Sequence, residues 1–78
     1  MLNSRKAEIA FNREVGKRVR ESRNNKGITQ AKLAEIVGLD PVSIYRIEKG
    51  DVKSFGYTIR LLSDALETST DYLLGKDE

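Results

Sequence analysis

The side chains with the clearest chemistry lie between residues 29 and 53, where polar groups suited to binding follow one another at short intervals. Gln30 precedes Arg46, and Lys49 and Lys53 come next. Amide, guanidinium and ammonium groups donate hydrogen bonds, and a guanidinium fork can satisfy two acceptors at once. These residue types indicate a surface that binds a ligand rather than one that breaks bonds.

The composition excludes several other kinds of site. The 78 residues contain no cysteine and no histidine, so disulfides are ruled out and the usual zinc-ligand sets cannot be assembled. The sequence has no phosphate-cradling glycine loop and no converging carboxylates, so we expect no enzyme, metal, cofactor or small-molecule ligand. No apolar run approaches the roughly 18 residues of a membrane helix, and no signal peptide is evident. We therefore expect a soluble, cytoplasmic protein.

The net charge is only +2, but the charged side chains are unevenly distributed along the chain. Residues 1–26 contain eight basic and three acidic side chains, whereas the remaining residues contain six basic and nine acidic ones. This asymmetry suits a molecule that presents one face to phosphates, although a solvated helix face is the alternative. A chain of this length is expected to hold one core and one domain.

Apolar residues recur every three or four positions and never alternate with a period of two, so an all-α fold is predicted. Phe11, Val15 and Val19 form one apolar stripe of a first helix that ends near Lys26 and Gly27. The start of this helix is left open between residues 4 and 13.

A helix-turn-helix is predicted over residues 29–49. Thr29 can cap its first helix and Gly38 can end it. The buried positions of that helix are Leu33, Ala34 and Val37. Because Ala34 and Gly38 are small, we expect them to let the two helices approach closely.

The second helix of this motif follows Asp40 as N-cap and has Pro41 at its first position. Ile44 and Ile47 form its inner edge, and Gly50 ends it. The outer edge consists of Val42, Ser43, Tyr45, Arg46 and Lys49.

Two further helices complete the prediction. After an irregular connection at residues 51–57, a fourth helix is marked by an apolar stripe made of Ile59, Leu62 and Leu66. A short fifth helix is capped by Ser69 and ended by Gly75.

Spread over these five segments, the sequence resembles the phage lambda repressor and Cro family of helix-turn-helix regulators, also called the XRE type. The matching residues are Val15 to Arg20, Arg23, Lys26 to Gln30, Leu33, Ala34, Gly38, Leu39, Ser43, Ile44, Ile47 to Gly50, Leu66 and Asp71 to Leu74. The resemblance implies a compact five-helix DNA-binding domain at residues 13–75. Residues 1–12 are then an N-terminal arm or helix extension, and residues 76–78 a tail.

The resemblance also implies sequence-specific binding of double-stranded DNA. Most relatives regulate transcription, so a repressor that binds a pseudo-palindromic operator as a homodimer, at least on DNA, is expected. The positions assigned to DNA by the resemblance are Thr29, Gln30, Asp40, Pro41, Val42, Ser43, Tyr45, Arg46, Lys49 and Lys53. The alternative is a protein-interaction module of the same fold, such as an antitoxin-like partner-binding subunit.

Several of these positions have a second interpretation. Arg46 suits guanine O6 and N7, and the alternative is a surface ion pair with Glu48 or Asp51. Val42 either contacts a thymine methyl group or is a tolerated surface residue. Asp40 is expected to act mainly as a helix cap, and Tyr45 is left open between a phosphate, a base and a neighbouring side chain.

Two structural expectations also follow from the resemblance. Gln30 would contact a phosphate and brace the third helix, and Arg23 and Glu48 would form an ion pair that joins the first helix to the third. Because Ser22, Thr68 and Thr70 replace aliphatic residues, the core near the fifth helix would be thin. The apolar residues left partly uncovered there would be Leu61, Tyr72, Leu73 and Leu74, either as ordinary core or as a dimer contact.

Overall fold

The computed structural model of the chain describes residues 4–51 and 56–76, and all regular structure in those ranges is helical. The helices are α1 (Ser4–Asn25), α2 (Gln30–Val37), α3 (Pro41–Lys49), α4 (Gly56–Leu66) and α5 (Thr70–Leu74). The predicted all-α, five-helix fold is confirmed, and α2 and α3 occupy the predicted helix-turn-helix segment. None of the helices in the described ranges is long and apolar enough to cross a bilayer.

α1 is the longest helix, and its first turns lie beyond the core. Val15 and Val19 are buried, as their spacing predicts. Phe11 lies one turn earlier on the same stripe of α1, as predicted, but it is 46% exposed. Residues 5–11 are all exposed. The apolar stripe therefore extends one turn past the edge of the core.

α2 has the bounds that its capping residues predict. The Thr29 hydroxyl accepts a hydrogen bond from the backbone N–H of Lys32 at 3.0 Å, and Gly38 ends the helix with a left-handed φ of 76°. This conformation favours glycine because a Cβ crowds the backbone there. A Cβ on Gly38 would meet nothing within 4 Å, so the prediction that Gly38 eases helix packing is wrong. The turn geometry is what requires a glycine.

α3 begins and ends as predicted, with Pro41 at its first position and Gly50 as a left-handed C-cap. Ile44 and Ile47 are buried. Asp40 occupies the N-cap position, but its carboxylate makes no capping hydrogen bond. The expected side-chain cap is absent because the N–H of Ser43 donates instead to the Asp40 carbonyl oxygen at 3.0 Å.

The end of the chain folds back over the core. α4 begins at Gly56, so the irregular connection predicted through residue 57 ends earlier than expected, while residues 52–55 lie outside the described part of the chain. The Ser69 hydroxyl caps α5 by accepting from the N–H of Tyr72 at 2.9 Å, as predicted. The buried apolar residues of α4 are Ile59, Leu62 and Leu66.

The core around α5 is better covered than the sequence suggests. Leu73 is fully buried, so of the two alternatives left open for it, ordinary core is the one observed. It is covered because α5 packs against both α1 and α4. The other three residues of that set, Leu61, Tyr72 and Leu74, are half-buried.

α1 and α3 approach each other very closely at Gly16. A Cβ on Gly16 would lie 2.3 Å from the carbonyl oxygen of Ile47 and 2.6 Å from that of Glu48. Atoms cannot approach this closely, so only glycine fits without a shift of one helix. The crossing therefore fixes the distance between α1 and the end of α3.

We expect Gly16→Ala to destabilise the fold by about 1–3 kcal/mol, the usual cost of overpacking a tight contact. In a domain of this size, each kcal/mol lowers Tm by about 4–8 °C. Thermal melting followed by circular dichroism measures the loss. Gly56→Ala is the matched control because a Cβ there meets nothing within 4 Å. Equal Tm values for the two variants would show that the crossing is not tight.

Candidate nucleic-acid interface

The outer face of α3 is free of contacts with the core. Val42 is 60% exposed and Tyr45 48% exposed, and Arg46 and Lys49 are also exposed. Ser43 is half-buried at the flank of this face. These side chains project from the helix surface opposite the buried isoleucines, so a groove of matching width could receive the helix.

Arg46 has its guanidinium free for a ligand. The ion pair with Glu48 that the sequence leaves open is absent, because both oxygens of that carboxylate are occupied by other donors. Within residues 5–51 and 56–76, Arg46 forms no ion pair, with Asp51 or any other residue. A charged fork of donors is thus presented outward on a rigid helix.

Tyr45 and Lys49 interact on the same face. The Lys49 ammonium lies 5.3 Å from the centroid of the Tyr45 ring, within the range of a cation–π contact. This answers part of the open question about Tyr45, since one face of its ring is covered by a neighbouring side chain. The contact holds the lysine charge beside the ring while both residues stay exposed.

At the N-terminal end of α3, Asp40 and Pro41 are exposed. The Asp40 carboxylate is not used as a cap. A negative charge next to a helix N-terminus is favoured by the helix dipole, so this position is stable even without a capping hydrogen bond.

The buried carboxylate of Glu48 lies beneath the outer face, and both of its oxygens accept hydrogen bonds. Arg23 donates to Glu48 through Nε to Oε2 at 2.7 Å and through Nη2 to Oε1 at 3.1 Å. Its Nη1 donates to the Ile28 carbonyl oxygen at 2.9 Å. Glu48 itself is 6% exposed. The hydrogen bond from Arg23 to Glu48, with their mutual attraction, raises the pKa of Arg23 despite partial burial.

Gln30 completes this network from the first position of α2. Its Nε2 donates to Oε1 of Glu48 at 3.0 Å, which is the contact to the third helix that the resemblance implies. The side chain is half-buried, so it touches both the network and the surface. Thr29, one residue earlier, has its hydroxyl oxygen in the helix cap.

The structure also brings together basic residues that lie outside the set assigned to DNA from the sequence. Arg13, Lys17 and Arg20 of α1 line the same cleft as Tyr45 and Lys49. Their spacing of four and three residues is the signal that they share one helix face. Lys53 lies outside the described residues, so its predicted contact with phosphate stays a prediction.

Comparison with known proteins identifies the family to which this chain belongs. A family model described as helix-turn-helix matches residues 19–73, which is more than half of the chain. The chain therefore belongs to the helix-turn-helix family, and its resemblance to lambda repressor and Cro-like proteins is confirmed.

Particular relatives are repressors and regulators of phages and bacteria. Repressor protein C2 of Salmonella phage P22 is 38% identical over 63 residues, which cover 81% of this chain and 29% of that protein. The HTH-type transcriptional regulator ImmR of Bacillus subtilis is 38% identical over 64 residues, covering 82% of this chain and 50% of that protein. The chain thus spans at most half the length of these two relatives.

The fold matches a solved structure of the same phage protein. The P22 c2 repressor in complex with a synthetic operator superposes with a TM-score of 0.76 at 38% identity. The match covers 81% of this chain and 96% of the solved one.

We expect Glu48→Ala to lower stability by about 3–5 kcal/mol, because it leaves the Arg23 guanidinium largely buried and without its partner. Thermal or urea denaturation measures the change. Glu35→Ala is the control, since Glu35 is exposed and forms a surface pair with Lys32 at 3.4 Å, a type worth under about 1 kcal/mol. If both variants melt together, the Arg23–Glu48 pair does not support the fold.

Proposed function

We propose that this chain binds double-stranded DNA in a sequence-specific manner and regulates transcription. It acts as a repressor on a pseudo-palindromic operator, which it binds as a homodimer with the two α3 helices about 34 Å apart. The observation that carries the proposal is the exposed guanidinium of Arg46 on the outer face of α3, which forms no ion pair with any of the residues that the structure describes.

Base reading is assigned to the outer face of α3. Arg46 donates two hydrogen bonds to O6 and N7 of guanine, and Val42 packs against a thymine methyl group. Tyr45 lies on the same face, with its hydroxyl available for a base or a phosphate. At the start of the helix, Asp40 and Pro41 approach the bases, where the carboxylate can accept a hydrogen bond from the cytosine amine.

Phosphate binding is assigned to the edges of the motif. Thr29 and Gln30 stand at the N-terminus of α2, where backbone N–H groups and the helix dipole favour an anion. Ser43 flanks the reading face, and Lys49 and Lys53 follow it. Such contacts fix the position of the protein on the duplex without reading its sequence.

Support also comes from the relatives. The P22 c2 repressor, which shares 38% of its residues with this chain in the matched region, has been solved bound to a synthetic operator. The buried network beneath α3 adds a physical argument, because a reading helix must be held rigidly if base contacts are to discriminate.

Selection of bound duplexes from a random pool tests the proposal. We expect enrichment of inverted repeats whose centres are one helical turn apart, with an affinity that falls steeply between two salt concentrations. Absence of any enriched sequence would contradict the proposal and favour a protein-interaction module of the same fold.

Substitutions tested in the selected complex distinguish residues that contact bases from residues that contact phosphates. Arg46→Ala should remove about 1–3 kcal/mol of discrimination at one base position per half-site. Lys53→Ala should weaken all sequences alike and reduce the salt slope by about one unit. Titration of a panel of single-base operator variants measures both effects. If the Arg46 variant keeps the full base preference, Arg46 does not discriminate between bases.

A further inference from the structure

A cleft of about 340 Å³ lies between α1 and α3, beside the outer face of α3. We define the α1 stripe as Arg13, Lys17 and Arg20, which line this cleft from the side of α1. A water molecule occupies about 30 Å³, so the cleft has room for a phosphate group as well as hydrating water. The α1 stripe lies outside the set of residues proposed above for DNA.

The α1 stripe is a single face of its helix. Residues separated by four and then three positions lie above one another in an α-helix. The neighbouring Arg18 points elsewhere, since it pairs with Glu14 at 3.3 Å and lies 5.8 Å from the centroid of the Tyr72 ring. Arg18 therefore faces α5, whereas the α1 stripe borders α3.

The charge of the α1 stripe is not neutralised by the protein. All three side chains are exposed, and within residues 5–51 and 56–76 none of them forms an ion pair. Glu48 also lines the cleft, but its carboxylate is already bound by Arg23 at 2.7 Å. With Lys49 on the opposite wall, the cleft offers a concentrated positive field to an anion.

The α1 stripe is also fixed in position relative to α3. A Cβ on Gly50 would lie 2.7 Å from Cα of Arg13, so the start of the stripe lies directly against the end of α3. At Gly16 the two backbones are in contact as well. A ligand held by the α1 stripe is therefore held at a set distance from the outer face of α3.

We infer that the α1 stripe binds the sugar–phosphate backbone beside the groove that α3 enters, as a second grip outside the helix-turn-helix. This inference rests on the proposed function, and it assigns to the stripe a contact with phosphates rather than bases. The stripe extends about 10 Å along the axis at 1.5 Å per residue. One DNA strand carries a phosphate for about every 3.4 Å of duplex axis, so the stripe is long enough to reach more than one phosphate.

The test compares two triple variants of the full chain that carry the same net charge. The stripe variant is Arg13→Gln, Lys17→Gln, Arg20→Gln, and the control is Lys26→Gln, Arg60→Gln, Lys76→Gln, which removes three cations from other surfaces. Each protein is titrated over a salt series with the selected duplex and with a random-sequence duplex. Thermal melting verifies that both variants fold.

We expect the salt slope of the stripe variant to fall by about 0.9 for each lost phosphate contact, with both duplexes weakened by the same factor. The control should keep the wild-type slope. Equal salt slopes for the two variants would contradict the inference that the α1 stripe binds phosphates and would leave the proposed function intact. Loss of preference for the selected duplex alone would overturn it too, since bases would then be the target. Failure of the wild-type chain to bind either duplex would overturn the proposed function itself.

Discussion

A carboxylate removed from water must be neutralised, and at Glu48 this requirement determines how three helices meet. Its partners are Arg23 from α1 and Gln30 from the first position of α2. If α3 rotated or slid, a buried charge would lose a donor, which is among the most costly changes a small fold can undergo. The orientation of the outer face of α3 therefore depends on a contact made on its opposite side.

A steric contact at Gly16 reinforces this electrostatic one. α2 and α3 have eight and nine residues, lengths at which an isolated helix is unstable in water. Both obtain their stability from neighbours, and α3 packs mainly against α1 and α2. Charge pairing sets the rotation of α3 and the backbone contact sets its distance from α1. Together they make a short helix rigid enough to present side chains in fixed positions.

The elements governed by local chemistry could be predicted from the sequence. Thr29, Gly38, Pro41 and Gly50 each act within a few residues of their own position, and the ends of α2 and α3 follow from them. Features that depend on distant neighbours could not be predicted in this way. The exposure of Phe11 depends on where the core ends.

The same distinction holds for the candidate site, where features set by local sequence could be predicted and features that depend on distant residues could not. The outer face of α3 follows from helical periodicity, because its buried isoleucines fix which side points outward. The Arg23–Glu48 pair joins residues 25 positions apart and was reached through family resemblance. For Arg13, Lys17 and Arg20, spacing shows that they share a face, but only the packing of α1 on α3 shows which helix borders it. Local capping chemistry was misleading at Asp40, where the backbone carbonyl accepts the hydrogen bond from Ser43 that was expected of the side chain.

The exposure of Val42 and Tyr45 has an evolutionary consequence. Side chains this exposed, at 60% for Val42 and 48% for Tyr45, contribute little to folding, so most replacements at such positions change stability by no more than about 0.5 kcal/mol. Selection can therefore alter the outer face while the network around Glu48 stays intact. Duplicated copies of such a gene can diverge in target within one genome by a handful of substitutions, and no intermediate along that route need be poorly folded.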